Sequence, residues 1–301
     1  MNRYVLKKGD IIGVIAPSRP LWNIKREVDL GLERLEHYGF LIKKGNNLDK
    51  HSYYSAGSKE ERVEDLHGMF ADKNVKAIIC ATGGSSSIDL LKDIDFDIIK
   101  NNPKPFIGYS DITALLLAIE RNVAGVSIHG PNVYELSCVS EDSFNQLMGT
   151  LECSQEANIT SNDIKILKHG KASGKILGGN ITLINALLAN DFLPNFDNKI
   201  LFWEEIGESP AMLSFKLREL ELSGKMRNIK GMIIGFLSDC VDKKYPEDNK
   251  SIEDIVLDVF LDYDFPIIQW NYFGHDISDF HSFSFEMNCE INTREKKLLL
   301  Q

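Results

Sequence analysis

A serine acts as a nucleophile where the backbone thrusts its hydroxyl clear of the chain. Phe106-Ile107-Gly108-Tyr109-Ser110-Asp111-Ile112-Thr113-Ala114-Leu115-Leu116 has a pattern that does so. An apolar run breaks at Gly-Tyr-Ser-Asp and resumes with helical periodicity, which predicts a strand, a tight turn and a helix. On such a turn the Ser110 hydroxyl projects beyond the sheet, beside the free N–H groups and positive dipole end of the helix. That places a nucleophile next to an oxyanion site. The hydrolase elbow G-x-S-x-G is matched in part, because Ile112 stands where the second glycine belongs. An ordinary strand-to-helix connection with a Ser or Asp cap accounts for the same residues.

A serine hydroxyl needs a base, and the base needs an orienting group. Of seven histidines, His37, His51, His67 and His169 lie in helical or polar contexts and read as surface residues. His129, before Gly130-Pro131, and His275, after Phe273-Gly274, follow apolar runs beside glycine, where a functional loop belongs; His281 follows a short polar stretch. A structural role competes for each. Leu201-Phe202-Trp203-Glu204-Glu205 places two carboxylates at a strand end. Alternation puts Glu204 on the face of Phe202 and Glu205 on that of Trp203, so one of them faces a shared site. Two solvated acids closing a strand are the competing reading. Gly83-Gly84-Ser85-Ser86-Ser87 can cradle phosphate through backbone N–H groups, but it lacks the Lys-Ser or Lys-Thr of a P-loop and the G-x-G-x-x-G spacing. Its glycines equally suit an oxyanion hole.

Such residues work together only on a fold that gathers them. From residue 10 to about 125, short β-rich runs alternate with helical ones. Ile11 to Ala16 precedes Pro17-Ser18-Arg19-Pro20 and a helix from about Lys25 to Tyr38, closed by Gly39. Strand Phe40 to Lys43, helix Glu60 to Phe70, strand Lys76 to Cys80 and a helix from Ser87 follow. The alternation predicts a mainly parallel sheet with helices on both faces, whose ligands sit beyond the carboxyl ends of the strands. Ala16-Pro17-Ser18, Gly83-Gly84-Ser85-Ser86-Ser87 and Gly108-Tyr109-Ser110 should therefore meet at one edge. From about 138 to 172 the rhythm gives way to a polar stretch. This predicts a junction over residues 141–172, between one domain at 1–140 and another at 173–301. Beyond it, Ile181 to Ala189, Pro210 to Leu222 and Ile252 to Phe260 read as helices. Ile200 to Glu205, Gly231 to Phe236 and Pro266 to Trp270 read as strands, and Phe283 to Leu300 as late strands or a hairpin.

At 301 residues, 43% hydrophobic and 26% charged, the chain can bury one large or two medium cores. Its 34 Lys and Arg against 44 Asp and Glu give a formal charge of -10 without a dense basic run, which argues against nucleic acid as a partner. Ile11 to Ala16 is too short to span a bilayer and no cleavage site follows it, so a cytoplasmic protein with no membrane partner is expected. Cys80, Cys138, Cys153, Cys240 and Cys289 are odd in number and never spaced C-x-x-C, which predicts reduced, mostly buried thiols rather than disulfides or a zinc site.

The order and context of these pieces resemble the LD-carboxypeptidase family of serine peptidases, which includes the microcin C self-immunity carboxypeptidases. The resemblance rests on Gly13-Val14-Ile15-Ala16-Pro17-Ser18, Gly83-Gly84, and the block from Asn102-Pro103-Lys104-Pro105 through Gly108-Tyr109-Ser110-Asp111 to Leu115. It continues through His129-Gly130-Pro131, Gly178-Gly179-Asn180, Leu201-Phe202-Trp203-Glu204-Glu205 and Gly274-His275, in the family's order over nearly the whole chain. It implies an α/β protein with an N-terminal mainly parallel sheet flanked by helices, a smaller C-terminal α/β domain, and the active site in the cleft between. It implies Ser110 as nucleophile, His275 as general base and then acid, Glu204 as the acid that orients it, and the Gly84 and Asp111 amides as oxyanion hole. Ser85, Ser86 and Tyr109 are then expected to line the substrate, and Arg19 is a candidate cation for a terminal carboxylate, with an ordinary surface arginine as the competing reading. The implied reaction is hydrolysis of an amide near a free carboxyl terminus, in a murein tetrapeptide or a peptidyl-aminoacyl nucleotide, with no metal or cofactor, by a homodimer.

The chain departs from both branches of the family it resembles. Murein-cleaving members commonly carry an arginine before the glycine pair and an aromatic and a glycine after it, and immunity members an aromatic and an asparagine after it. Here Thr82 precedes the pair and Ser85-Ser86-Ser87 follow. Trp203-Glu204-Glu205 stands where Glu-Asp usually follows an aliphatic residue, which keeps Glu205 as an alternative acid. Two readings from other classes remain: a ligand-binding protein without turnover, and a nucleotide-dependent transferase that uses the Gly-Ser loop for phosphate.

Overall fold

The computed structural model describes residues 5–153, 159–242, 244 and 250–301. The chain divides into two compact units, Met1–Ala157 with Ser278–Phe285, and Asn158–Ile277 with Glu286–Gln301.

The first unit alternates as its sequence predicts: β1 (Ile11–Ile15), α1 (Lys25–Tyr38), β2 (Leu41–Lys44), α2 (Lys59–Ala71), β3 (Val75–Cys80), α3 (Phe96–Asn101), β4 (Phe106–Gly108), α4 (Thr113–Asn122), β5 (Ser127–His129), α5 (Val133–Leu136) and α6 (Glu141–Glu152). With the late strand β12 (Phe283–Ser284) they build a sheet of order β12-β5-β4-β3-β1-β2, parallel except for β12. Gly39, at φ +120°, closes α1 as expected, and a capping box of Ser58 and Glu61 opens α2. β3 lies mid-sheet and is buried except at Lys76; α4 is buried from Thr113 to Glu120, as a helix apolar on every side must be. The helix expected after Gly-Gly-Ser-Ser-Ser is only a 3₁₀ turn, Ser87–Leu90.

Parallel register aligns the carboxyl ends. Ile15 pairs with Cys80 and Gly108 with His129. Beyond them Ala81 N–H bonds Ile15 O, Arg19 N–H bonds Gly83 O, Gly130 N–H bonds Gly108 O and Tyr134 N–H bonds Ala81 O, at 2.7 to 3.2 Å. The three loops singled out in the sequence thus lie along one edge.

At the amino ends, Lys104 is buried, and its Nζ donates to Met69 O and Asp72 O at 3.0 and 2.6 Å, where α2 ends. Burial pulls its pKa down to about 8. The folded value lies below the ordinary ~10.4, so between the two the unfolded chain binds more protons. Stability from this residue is fully present above the ordinary value and is lost as pH falls through the folded one. Urea unfolding should therefore show wild type gaining on Lys104→Met between about pH 7.5 and about pH 9.5. A gap that stays constant would refute the assignment.

Residues 141–152, inside the stretch read as a junction, form α6, capped by Ser140 Oγ and burying Phe144, Leu147, Met148 and Leu151. Its acidic first turn disguised the apolar stripe. Ser154, Gln155 and Glu156 of that stretch lie outside the described residues. The second unit opens with β6 (Ile159–Ser161) and β7 (Lys165–Lys168), also within the expected junction. There follow β8 (Lys171–Asn180), α7 (Ile181–Ala186), β9 (Lys199–Ile206), α8 (Pro210–Leu222), β10 (Gly231–Ser238), α9 (Ile252–Phe260), β11 (Ile267–Gln269), β13 (Asn288–Asn292) and β14 (Lys297–Leu300). They form a mixed sheet, β6-β14-β13-β8-β9-β10-β11-β7, in which β8 to β11 run parallel and the flanking strands antiparallel. The C-terminal hairpin β13–β14 fulfils the alternation seen in the sequence. Among the described residues no helix is long and apolar enough to cross a membrane.

Candidate active site

In the first unit Ser110 stands between β4 and α4, at the head of a single 3₁₀ turn, Ser110–Ile112. Its φ of +61° is left-handed, a conformation that costs a side-chain-bearing residue about 1–3 kcal/mol and needs the surroundings to enforce it. Gly108 is required two residues earlier, because a Cβ there would lie 2.7 Å from Ile112 Cγ2. A Cβ on Gly83 would lie 3.2 Å from Ser110 Oγ, so the glycine loop abuts the elbow. Gly84, exposed and at φ +149°, has its own Cβ position filled by Ser18 Oγ and Arg19.

Neither Ser110 nor Asp111 caps α4, as the simpler reading of the turn had them. The Asp111 carboxylate instead turns beneath the Gly-Ser loop, where Oδ2 accepts from Ser87 N at 2.9 Å, Ser86 N at 3.2 Å and Ser18 Oγ at 2.5 Å. An internal carboxylate thus already takes two of the loop amides that the phosphate reading needs. Ser86 is fully buried and its hydroxyl accepts from Arg62 Nη1 at 3.1 Å, so the expectation that it lines substrate fails; Ser85 is exposed. Tyr109 is also buried, its hydroxyl donating to Glu135 Oε1 at 3.0 Å and its ring edge-on to Phe280, so it supports the elbow from below.

Arg62 escaped the sequence reading. Only 4% exposed, it donates Nη1 to Pro17 O at 2.9 Å and Ser86 O at 2.8 Å. Its signal was position: it shares the buried stripe of α2 with Leu66 and Met69, where an arginine must be paid for by hydrogen bonds.

The second unit holds His275 and both glutamates, Glu204 and Glu205. His275 Nδ1 lies 2.7 Å from Glu204 Oε2. A carboxylate only accepts, so Nδ1 carries a proton. The histidine loop is fixed on both sides. Phe236 N–H bonds Phe273 O at 2.8 Å, Gly274 takes φ +128° because a Cβ would meet Phe236 O, and Asp276, at φ +57°, accepts from Ser238 Oγ. Glu204 is wholly buried and Glu205 3% exposed, which corrects the solvated-acid reading. Alternation separates them: Glu205 accepts from Asn180 Nδ2 and Ile206 N, each at 2.9 Å, and from Thr182 N and Oγ1. Glu205 thereby ties β9 to the start of α7 while Glu204 meets the histidine. Gly178 of the Gly178-Gly179-Asn180 motif is needed because a Cβ would strike Phe202 O on the paired strand.

Three further histidines and the five cysteines have other surroundings. His129 is fully buried and stacked on Phe280 and Phe283 at 5.5 and 5.3 Å, a core histidine. Burial lowers the pKa of His281 and of His67, whose Nε2 accepts from Asp95 N. Cys80, Cys240 and Cys289 are buried, whereas Cys138 and Cys153 are exposed. Burial pushes every thiol up, Cys240 to about 11 and Cys80 and Cys289 well above the usual range, so none is a ready thiolate.

Known proteins carry the same two domains in the same order. Residues 12–130 match the LD-carboxypeptidase N-terminal domain and residues 173–291 the LD-carboxypeptidase C-terminal domain. A probable murein peptide carboxypeptidase of Bacillus subtilis (strain 168) is 33% identical over 302 residues, covering 98% of this chain and 93% of that protein. The microcin C7 self-immunity protein of Escherichia coli is 27% identical over 79% of each chain. The crystal structure of an MccF-like protein from Bacillus anthracis superposes with a TM-score of 0.88 at 29% identity, covering 100% of this chain and 98% of that one. With both domains matched in order and 33% of its residues shared with the Bacillus subtilis protein along nearly its full length, the chain belongs to the LD-carboxypeptidase family of serine peptidases.

Proposed function

We propose that this protein hydrolyses the amide bond next to a free carboxyl terminus through an acyl-enzyme on Ser110, with murein-type L,D-linked peptides as its substrate class. The observation that carries the reading is the Ser110 elbow, left-handed and abutted by Gly83. Ser110 Oγ attacks the carbonyl carbon while Nε2 of His275 takes the hydroxyl proton. The Gly84 and Asp111 amides hold the tetrahedral oxyanion, each donor contributing about 3 to 4 kcal/mol. As the C–N bond breaks, His275 returns the proton to the leaving amine. Water, deprotonated by the same imidazole, then cleaves the Ser110 ester, and Glu204 holds the productive tautomer throughout.

A carboxypeptidase also needs a cation that no side-chain acid has neutralised. Arg19 is half-buried, its backbone bonded to Gly83 and its guanidinium 5.8 Å from the Tyr134 ring centre, with no acidic partner among the described residues. Arg19→Ala should raise KM for a free-carboxylate peptide about 10- to 100-fold, the weight of a charge-assisted contact, with kcat within a few-fold. The same peptide amidated at its terminus should bind both forms alike. An unchanged KM would remove Arg19 from the site.

The substrate class is tested by offering a murein tetrapeptide and a peptidyl-aminoacyl nucleotide side by side. Release of the terminal residue from the tetrapeptide is expected, as the Bacillus subtilis relative's description supports. Cleavage of the nucleotide conjugate alone would replace that class with the immunity type suggested by the Escherichia coli relative, and turnover of neither would leave a binding protein.

A further inference from the structure

Two buried charged side chains in the first unit, those of Asp111 and Arg62, have no part in the chemistry above, yet together they touch all three strand-end loops. Asp111 reaches Ser18, Ser86 and Ser87, and Ser87 Oγ returns a bond to Asp111 O at 2.6 Å. Arg62 reaches Pro17 and Ser86 from α2, with Asp89 at 3.6 Å on its outer side. Burying such groups is costly unless their hydrogen bonds are met, and here they are met by backbone groups and by the Ser18 and Ser86 hydroxyls. We propose that Asp111 and Arg62 are positioning residues that hold the Gly84 amide in register with Ser110, so that the oxyanion hole is formed before substrate arrives; this rests on the Ser110 reading. Gly84 is where such a device is needed. It is exposed and left-handed, with no side chain of its own to fix it. The chain on either side is held, by Arg19 N–H on Gly83 O before it and by the Asp111 bonds to Ser86 and Ser87 after it. A displacement of about 1 Å at such a donor costs on the order of 10²-fold in rate.

The test uses Asp111→Asn, Arg62→Lys and the milder Ser18→Ala in the full chain, with Asp89→Asn as the control expected to stay within about two-fold of wild type. Asp111→Asn should lower kcat and kcat/KM together by about 10- to 100-fold. Affinity for uncleaved peptide, measured in the Ser110→Ala background, should not move. A phosphonate analogue of the tetrahedral intermediate should bind more weakly by the same factor as kcat. Ser18→Ala, which removes one donor and spares the fold, should lose several-fold, and Arg62→Lys should lose kcat while keeping the charge. Hydrogen exchange over residues 82–88 should quicken in Asp111→Asn. Wild-type kcat in Asp111→Asn, or equal loss of peptide and analogue affinity, would overturn the proposal while leaving Ser110 as nucleophile. Should the wild type turn over no substrate, the Ser110 reading fails on its own; unchanged exchange at 82–88 in the variant would then overturn the positioning role separately.

Discussion

Ser110→Ala is expected to lower kcat/KM by about 10³- to 10⁶-fold, the range seen when a serine nucleophile is removed and only binding and oxyanion stabilisation remain. The loss should fall on kcat. Removing one hydroxyl leaves the Gly84 and Asp111 amides and Arg19 in place, so KM should stay within a few-fold. Release of the terminal amino acid from a murein tetrapeptide, followed by chromatography, measures it. Activity equal to wild type would end the nucleophile assignment. A companion variant separates chemistry from folding. Ser110 occupies φ +61°, which penalises any residue with a Cβ. Ser110→Gly should be as inactive as Ser110→Ala yet more stable than it by about 1 kcal/mol in urea unfolding. A nucleophile that destabilises its own elbow is the signature of strain kept for function rather than of an ordinary connection.

How much of this was legible beforehand depended on whether a signal was local. Gly39, the helices at Pro210 and Ile252, and the common edge of the three loops followed from periodicity and turn chemistry, because helical periodicity, a closing glycine and parallel strands have short-range signatures. α6 was hidden because Ser140, Glu141 and Asp142 make a polar entry to a helix that is apolar only from Phe144 onward. The turn at Ser110 was visible, whereas the fate of Asp111 was not. As a residue following the serine it looked like a cap, and its partners, Ser18 and Ser86-Ser87, lie 93 and 25 or 24 positions away. Alternation separated Glu204 from Glu205 but could not say which meets a histidine 71 residues on. Sequence spacing carries facing; it does not carry long-range pairing.

That separation makes Glu204→Gln the second variant of large effect, with an expected fall in kcat of about 10²- to 10⁴-fold. The carboxylate accepts the Nδ1 proton at 2.7 Å. Glutamine fills the same volume with two outcomes, both unfavourable. If its NH₂ faces the ring, Nδ1 must accept, the proton moves to Nε2, and the imidazole can no longer take a proton from Ser110. If its oxygen faces the ring the tautomer survives, but the negative charge that stabilises the imidazolium in the transition state is gone. Glu204 Oε1 is buried without a hydrogen-bond partner among the described residues, so no second contact holds the glutamine in the better orientation. Because the groups act as one unit, Ser110→Ala with Glu204→Gln should be no slower than Ser110→Ala alone. Additive losses would mean that Glu204 acts elsewhere. Glu205→Gln decides the remaining alternative. Its oxygens are spent on Asn180, Thr182 and Ile206, so the variant should lose stability, about 1 to 3 kcal/mol, with kcat nearly intact. The reverse pattern, an active Glu204→Gln and an inactive Glu205→Gln, would transfer the acid's role one residue along the strand and require the His275 ring to leave the partner it now has.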